Sequence, residues 1–255
     1  MKEKIASLCK ITGEDIWYGF HRVIFEFQGR TAWIVEPSAP PLGDRPWTWT
    51  MQWAEAFVDR TGALDLLAKG WYHTTIDLYS TRMNEEGLQI AAAYQRFLVE
   101  TLGFAPKARL IGMSWGGFFS TRYAANYPEN VARVYLDAPL LTFDIYADGL
   151  ADNPQALAEK IGPWAGRRPA TGWDDSPEMP VNLAAKIAEA RIPLLLLYGG
   201  QDQTVVPAAN SETFIPRFKE AGGDIQVEFR HLFGHHPHGV DPDKTQIITD
   251  FLSAK

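Results

Sequence analysis

The sequence predicts an α/β fold, a mainly parallel central sheet with helices on both faces. Short apolar runs typical of buried strands alternate along the chain with longer segments whose apolar residues recur at helical spacing. The chain has 255 residues, of which 46% are hydrophobic, so it can bury one large core. We find no internal repeat, and we therefore expect a single domain over residues 1–255.

Individual elements follow from local patterns. Alternating residues around Gly29 and Arg30 predict a two-stranded hairpin, and a tryptophan-rich helical segment is expected from Trp49 to Arg60. Strands are expected at residues 73–79, 108–113, 131–137, 192–200 and 225–231. Helices are expected at residues 84–104, 116–128, 211–222 and 243–255. Strands that alternate with helices in this way indicate parallel neighbours.

Residues 139–191 interrupt this alternation, because they are rich in Gly and Pro and contain no clear strand. A connection this long is usually functional or disordered. Its aromatic residues favour a packed lid, inserted before the strand that precedes Asp202. A plain surface excursion stays open as the alternative. The aromatic residues concerned are Phe143, Tyr146, Trp164 and Trp173.

Composition excludes several classes of protein. The net charge is −7 without a cluster of Lys and Arg, so we expect no nucleic-acid partner. No apolar run approaches the roughly 20 residues of a membrane span. Cys9 is the only cysteine, which rules out an intramolecular disulfide. The N-terminal segment lacks the pattern of a signal peptide, so we expect a cytoplasmic protein, or an exported one if a leader was removed.

Ser114 is the strongest candidate for a catalytic residue. It lies between Gly112 and Gly116, directly after a predicted strand and before a predicted helix. This Gly-x-Ser-x-Gly context is typical of a nucleophile elbow, a tight turn that raises the serine oxygen into the cleft at the carboxyl ends of the strands.

A serine hydroxyl needs a base to remove its proton and an acid to orient that base. Asp202 follows a strongly apolar strand, on a turn that contains Gly199 and Gly200. A histidine cluster follows the last predicted strand. The chain order serine, aspartate, histidine is the order that an elbow of this type requires.

With these motifs the chain resembles the α/β-hydrolase superfamily, from about Phe20 to the C-terminus. The resemblance implies that fold and a Ser-His-Asp triad. The segment "GHHPHGVDP" is similar to the family's catalytic-histidine loop and aligns His235 with the base. His238 is the alternative base and His236 the least favoured. Asp202 is the preferred acid, while Asp137 is a rival because some branches place their acid there, or else it lines the pocket.

The remaining histidines, at positions 21, 73 and 231, are expected at strand edges or in packing. Three clustered histidines can bind a metal. The cluster lacks the helical spacing of zinc proteases and has no paired cysteines, so we predict no catalytic metal. The resemblance implies no cofactor.

The oxyanion of the tetrahedral intermediate needs two hydrogen-bond donors. The elbow supplies the backbone N–H of Trp115. The second donor is expected in the loop after the strand "AWIVEP", at Ser38, because Pro37 has no N–H.

The expected substrate pocket contains Trp47, Trp49, Asp137 and Trp164. The segment "PWTW" resembles a pattern of a bacterial hydrolase subgroup associated with carbohydrate degradation, and tryptophan faces stack on sugars. Tryptophan is equally suited to the core, and that alternative stays open.

Together these residues predict a serine esterase that acts on a small or medium carboxylic ester through an acyl-enzyme, with a carbohydrate-linked ester as one candidate. A lactonase, thioesterase or peptidase could use the same triad. A binding module that keeps the scaffold without catalysis is the alternative from another class. The expected partner is a small-molecule substrate, and the sequence does not predict the oligomeric state.

Overall fold

The computed structural model describes residues 1–143 and 153–254. The strands in these ranges are β1 (Lys10–Trp17), β2 (Phe20–Phe27), β3 (Arg30–Val35), β4 (Trp47–Thr50), β5 (Tyr72–Ile76), β6 (Ala108–Met113), β7 (Val131–Asp137), β8 (Leu194–Gly199) and β9 (Ile225–Arg230). The α-helices are α1 (Lys2–Ala6), α2 (Ala63–Ala68), α3 (Glu85–Arg96), α4 (Trp115–Asn126), α5 (Pro154–Ile161), α6 (Ala184–Glu189), α7 (Ser211–Glu220) and α8 (Gln246–Ser253). A π-helical turn, Phe97–Thr101, extends α3 toward Gly103.

All nine of these strands form one sheet in the order β1-β2-β3-β5-β4-β6-β7-β8-β9. β1, β2 and β3 form an antiparallel meander, and β3 is antiparallel to β5 as well. From β5 to β9 every neighbouring pair is parallel. The prediction of a mainly parallel sheet is confirmed. The antiparallel part consists of β1, β2 and β3, and β1 was not predicted from the sequence.

Helices cover both faces of the sheet. Successive residues of a strand point to opposite faces, so a strand that is apolar throughout presents apolar side chains to both helix layers. On one face, Ile111, Tyr135 and Leu195 pack with residues of α2 and α8. On the other face, Leu110 and Leu196 belong to the core that contains the aromatic residues of α4 and α7. The central strands therefore carry apolar residues toward both faces. β8 is a continuous apolar run, whereas β6 and β7 also contain Arg109, Arg133 and Asp137.

The predicted helix from Trp49 to Arg60 is wrong. Trp47–Thr50 is strand β4, between β5 and β6, and only Val58–Arg60 forms a short 3-10 turn. β4 has four residues, all of them buried, and its alternation of tryptophan and threonine is too short for periodicity to identify a strand. Tryptophan and β-branched threonine fit a pleated surface, which explains why the segment is a strand.

Trp47 and Trp49 belong to the core, which corrects the prediction that they line the pocket. Both are fully buried. Trp47 donates its indole N–H to the carbonyl of Ala105 over 2.9 Å. The Trp49 ring lies 5.4 Å from Tyr94 and 5.5 Å from Tyr123, between centroids. Residues two apart on a strand point to the same face, so both indoles enter the same core.

The described part of the 139–191 insertion packs against α4. Phe143, Trp164 and Trp173 are buried, and Phe118 of α4 stacks on Phe143 with 4.8 Å between ring centroids. Tyr146 lies outside the described residues. These contacts join the insertion to the main core, while a lid motion stays a prediction. In the part of the chain that is described, no helix is both long and apolar enough to cross a bilayer.

Candidate active site

Ser114 occupies a sharp turn between β6 and α4. Its backbone has φ 52° and ψ −118°, a conformation that non-glycine residues rarely adopt. Its N–H donates to the carbonyl of Asp137 over 3.0 Å, and its own carbonyl accepts from the Leu140 N–H over 3.0 Å. Strain of this kind persists only where the surroundings fix the backbone, and it is concentrated at functional sites.

Glycines make this turn sterically feasible. A Cβ on Gly112 would lie 2.6 Å from the carbonyl oxygen of Gly116, closer than real contacts. A Cβ on Gly117 would lie 2.3 Å from the Cβ of Pro139. At Gly116 the nearest atom, the carbonyl oxygen of Gln52, would be 3.4 Å away. The tightest crowding therefore falls on Gly112 and Gly117, whereas the sequence motif had pointed to Gly112 and Gly116.

The structure brings Ser114, His235 and Asp202 together from three separate parts of the chain. Asp202 follows β8, and His235 lies in the loop after β9. The His235 Nε2 atom lies 3.1 Å from the Ser114 hydroxyl oxygen, and its Nδ1 atom lies 2.6 Å from a carboxylate oxygen of Asp202. Such an arrangement lets the imidazole accept the serine proton while its Nδ1–H donates to the carboxylate.

The Asp202 carboxylate is stabilised in its charged form. Burial by itself would raise the pKa of Asp202, but hydrogen bonds from His235 and from the N–H groups of Val205 and Thr204 outweigh it and lower the pKa. Each of those two N–H groups lies 2.8 Å from Oδ1. The carboxylate therefore stays ionised at neutral pH and is held in a fixed orientation toward the imidazole.

We expect Asp202 to contribute a pH-dependent part of the stability. Because its pKa is lower in the folded chain, its contribution is present above the ordinary aspartate pKa of about 3.9 and is lost as the pH falls through the folded value. The difference in unfolding free energy between wild type and Asp202→Asn should therefore narrow below about pH 4. Urea unfolding across a pH series measures it, and a difference that widens on acidification would contradict the assignment.

The rival acid and the alternative base pair with each other. His238 Nδ1 lies 2.8 Å from one carboxylate oxygen of Asp137. The other oxygen accepts from the Gly239 N–H and the Tyr135 hydroxyl, each over 2.7 Å. Burial and then the charge of Asp137 raise the pKa of Tyr135, so that hydroxyl stays protonated and donates. Asp137 is completely buried below the site, which corrects its prediction as a pocket residue.

A cavity of about 420 Å³ opens at the Ser114 hydroxyl. Its wall combines aromatic, imidazole and small side chains with one lysine, so it offers mainly apolar contacts and a few polar groups. The lining residues are Trp53, Ala56, Phe57, Tyr79, Ser114, Trp115, Lys160, Thr204, His235, His236 and His238.

Trp164 does not line this cavity, which corrects another predicted pocket residue. It is fully buried, donates its indole N–H to the carbonyl of Arg82 over 2.9 Å, and carries the Arg122 guanidinium over its ring at 4.5 Å. Among the residues of the insertion that the structure describes, Lys160 is the one that reaches the cavity wall. Sequence patterns could not identify it, because its position depends on how the insertion packs.

The prediction of Ser38 as the second oxyanion donor is wrong. β3 runs antiparallel to β5, with Val35 opposite His73 near the start of β5. The loop after β3 therefore leaves the sheet at the amino ends of the parallel strands, whereas Ser114 lies at their carboxyl ends. Ser38 is exposed at that opposite edge. The error followed from the helix predicted at Trp49, which hid the parallel strand β4.

The loop after β4 reaches the elbow instead. β4 is parallel to β6, with Thr50 opposite Ile111, so its carboxyl end lies beside the end of β6. The backbone nitrogen of Gln52 lies 3.5 Å from the position that a Cβ on Gly116 would take. This segment reads "TMQW" and has no glycine-rich signature, so the sequence held no recognisable signal for a donor there.

The other histidines lie away from the site. His73 is buried, its Nδ1 lies 2.7 Å from the Thr48 hydroxyl, and burial lowers its pKa to about 3. His21 pairs with Glu36, and His231 is exposed. None of the three belongs to the cavity wall described above.

The chain is similar to a known protein family and to several solved structures. Residues 63–165 match a family model described as the alpha/beta hydrolase fold. No curated protein matches the chain. Among solved structures, MPT51 of Mycobacterium tuberculosis superposes with a TM-score of 0.65 at 16% identity, covering 95% of this chain and 99% of that one.

Two further solved structures that superpose on this chain are named as enzymes, and the two names state different activities. An S-formylglutathione hydrolase from Agrobacterium tumefaciens has a TM-score of 0.60 at 14% identity, and 95% of each chain is covered. The dipeptidyl peptidase 4 of Porphyromonas gingivalis has a TM-score of 0.63 at 15% identity, covering 95% of this chain and 36% of that one. The chain spans 33 to 45% of the length of the peptidases it matches. At these identities the similarity shows the fold.

Proposed function

We propose that this chain, a member of the α/β-hydrolase superfamily, is a serine hydrolase that cleaves a small or medium carboxylic ester. The observation that carries the proposal is the His235 imidazole, which lies within hydrogen-bond distance of both the Ser114 hydroxyl and the Asp202 carboxylate. A serine hydroxyl on a strained elbow, an oriented base and an ionised acid are the groups that acyl transfer requires.

In the proposed acylation step, the Ser114 oxygen attacks the ester carbonyl carbon while His235 Nε2 takes the hydroxyl proton. The imidazolium that forms is stabilised by Asp202 through Nδ1. Collapse of the tetrahedral intermediate breaks the bond to the alkoxy group, which leaves as an alcohol after taking the proton from Nε2. Ser114 then carries the acyl group as an ester.

In the proposed deacylation step, His235 removes a proton from water, whose oxygen attacks the acyl carbon. The Ser114 oxygen leaves, takes the proton back from Nε2, and the carboxylic acid is released. In both steps a negative charge develops on the carbonyl oxygen. We assign its stabilisation to the backbone N–H groups of Trp115 and Gln52, which lie at the two segments that meet at the elbow.

Because the proposed contribution of Trp115 comes from its backbone, Trp115→Phe should retain most of the activity. The indole packs between aromatic rings, with centroids 5.5 Å from both Phe118 and Phe143, and phenylalanine keeps most of that contact. We expect kcat/KM within about tenfold of wild type, since removing a donor itself costs roughly 10²–10³ in kcat. A loss of that larger size in a folded Trp115→Phe protein would show that the indole takes part in catalysis.

The size of the cavity favours a small ester over a peptide. At about 420 Å³ it lies at the lower end of the range of ligand pockets, about 300–1,000 Å³. Trp47 and Trp49 are buried in the core, so neither indole can stack on the sugar of a carbohydrate-linked ester. Trp53 is 40% exposed at the cavity and is the aromatic face that could contact the alcohol group.

A substrate panel tests the proposal. Wild type and Ser114→Ala are assayed with p-nitrophenyl esters of increasing acyl length, a thioester, a lactone and aminoacyl p-nitroanilides. We expect turnover of short and medium esters by wild type, no turnover by Ser114→Ala, and weak or no anilide cleavage. Preferred cleavage of the anilides would favour a peptidase. No turnover of any substrate by wild type would favour the non-catalytic binding module.

A further inference from the structure

Three imidazoles share one side of the cavity, and the proposed reaction uses one of them. His235, His236 and His238 each offer one ring nitrogen, and these nitrogens all lie within 4.8 Å of one another. Neutral imidazole is a preferred ligand of Zn²⁺ and of other divalent transition metals. We propose that this tri-histidine cluster, residues 235, 236 and 238, binds one divalent transition-metal ion, with Zn²⁺ as the best match.

The carboxylates behind the cluster support the proposal. His235 Nδ1 lies 2.6 Å from Asp202, and His238 Nδ1 lies 2.8 Å from Asp137. Both carboxylates are buried. Histidines that bind a metal almost always donate their second ring N–H to a carboxylate, carbonyl or water, which fixes the ring and increases its basicity. Two of the three rings are therefore already oriented, with Nε2 as the nitrogen that a metal would take.

His236 supplies the adjustable third ligand. Its side chain is exposed, and its ring stacks on Phe57 with 5.6 Å between centroids. Tetrahedral Zn²⁺ with bonds of about 2.0–2.1 Å holds its nitrogen ligands roughly 3.3 Å apart. The nitrogens must therefore approach by up to about 1.5 Å from their present separation. Because His236 is exposed and its ring is free of a carboxylate partner among the hydrogen bonds described above, rotation of its side chain can bring its nitrogen toward those of His235 and His238.

Metal binding and the proposed catalysis compete for one atom. His235 Nε2 accepts the hydrogen bond from Ser114 and has a single lone pair, so it cannot bind a metal and activate the serine together. The ion would therefore act as a reversible inhibitor. This consequence depends on the proposed function, whereas binding itself does not.

Calorimetry with Zn²⁺ alone tests the site, on Ser114→Ala protein purified without a polyhistidine tag. We expect one ion per chain, and Co²⁺ in its place should give the visible absorption of a tetrahedral nitrogen site. Adding His236→Ala should lower the affinity by roughly tenfold or more, because loss of an outer-shell partner alone costs 10–100-fold. The matched control, His231→Ala, removes an exposed histidine outside the cluster and should leave the affinity unchanged.

The results separate the two proposals. Failure of Zn²⁺ to bind, or equal affinity with and without His236, overturns the metal site even if esters are hydrolysed. Binding that depends on His236 in a protein without esterase activity supports the site and leaves the proposed function refuted. In active wild type, Zn²⁺ should inhibit ester hydrolysis at concentrations that match the calorimetric affinity, and a chelator should restore the initial rate.

Discussion

His235→Ala is expected to lower kcat for ester hydrolysis by roughly a millionfold, the loss that follows removal of the base from a triad of this type. Without the imidazole, the Ser114 hydroxyl loses the acceptor 3.1 Å away that would take its proton, and Asp202 loses its partner. Steady-state kinetics with a p-nitrophenyl ester measure the effect, and thermal unfolding of the same samples establishes that the variant is folded.

His231→Ala is the matched control for this variant, because His231 lies in the same loop region but is exposed and outside the cavity wall. It should leave kcat unchanged. His238→Ala should reduce kcat far less than His235→Ala, since the hydrogen bond of His238 goes to Asp137. The opposite ranking of His235 and His238 would identify His238 as the base.

Asp137→Ala is expected to cause the largest loss of stability, about 3–5 kcal/mol, the usual result of removing one partner from a buried charged network. Its carboxylate is fully buried and accepts hydrogen bonds from His238, Gly239 and Tyr135. Arg230 adds an ion pair at 3.6 Å. Substitution by alanine leaves these buried donors without an acceptor. Their desolvation on folding is then no longer offset by a hydrogen bond, which lowers the free energy of unfolding.

Denaturant unfolding of Asp137→Ala beside Asp241→Ala checks this expectation. Asp241 also forms ion pairs, with Arg60 and Lys244, but its side chain is 51% exposed, and such surface pairs contribute little. The midpoint should therefore shift strongly for Asp137→Ala and slightly for Asp241→Ala. Equal shifts would mean that the buried hydrogen bonds of Asp137 stabilise the fold no more than the exposed ion pairs of Asp241.

The sequence was most informative where local pattern and tertiary position agree. β6 and β8 are buried on both faces, so their continuous apolar runs marked them directly, and Ser114 and Asp202 follow at their carboxyl ends. The pattern failed at β4, because this strand has four residues and an alternation of tryptophan and threonine that short does not distinguish a strand from a helix. Missing that strand led to Ser38, at the opposite edge of the sheet.

The contents of the cavity wall could not be predicted, because they depend on packing between distant segments. Trp47, Trp49 and Trp164 are as compatible with a core as with a pocket, and only the fold assigns them to the core. Lys160 reaches the cavity through the insertion, and the Asp137–His238 pair forms between residues far apart in the chain. None of these contacts has a local sequence signature.

Locating the adduct of a fluorophosphonate by mass spectrometry tests directly whether the His235 imidazole activates the Ser114 hydroxyl. We expect a single adduct, on Ser114, that forms rapidly in wild type, is absent from Ser114→Ala and forms far more slowly in His235→Ala. An adduct on another residue, or labelling of Ser114 at the same rate without His235, would show that the imidazole does not activate this serine.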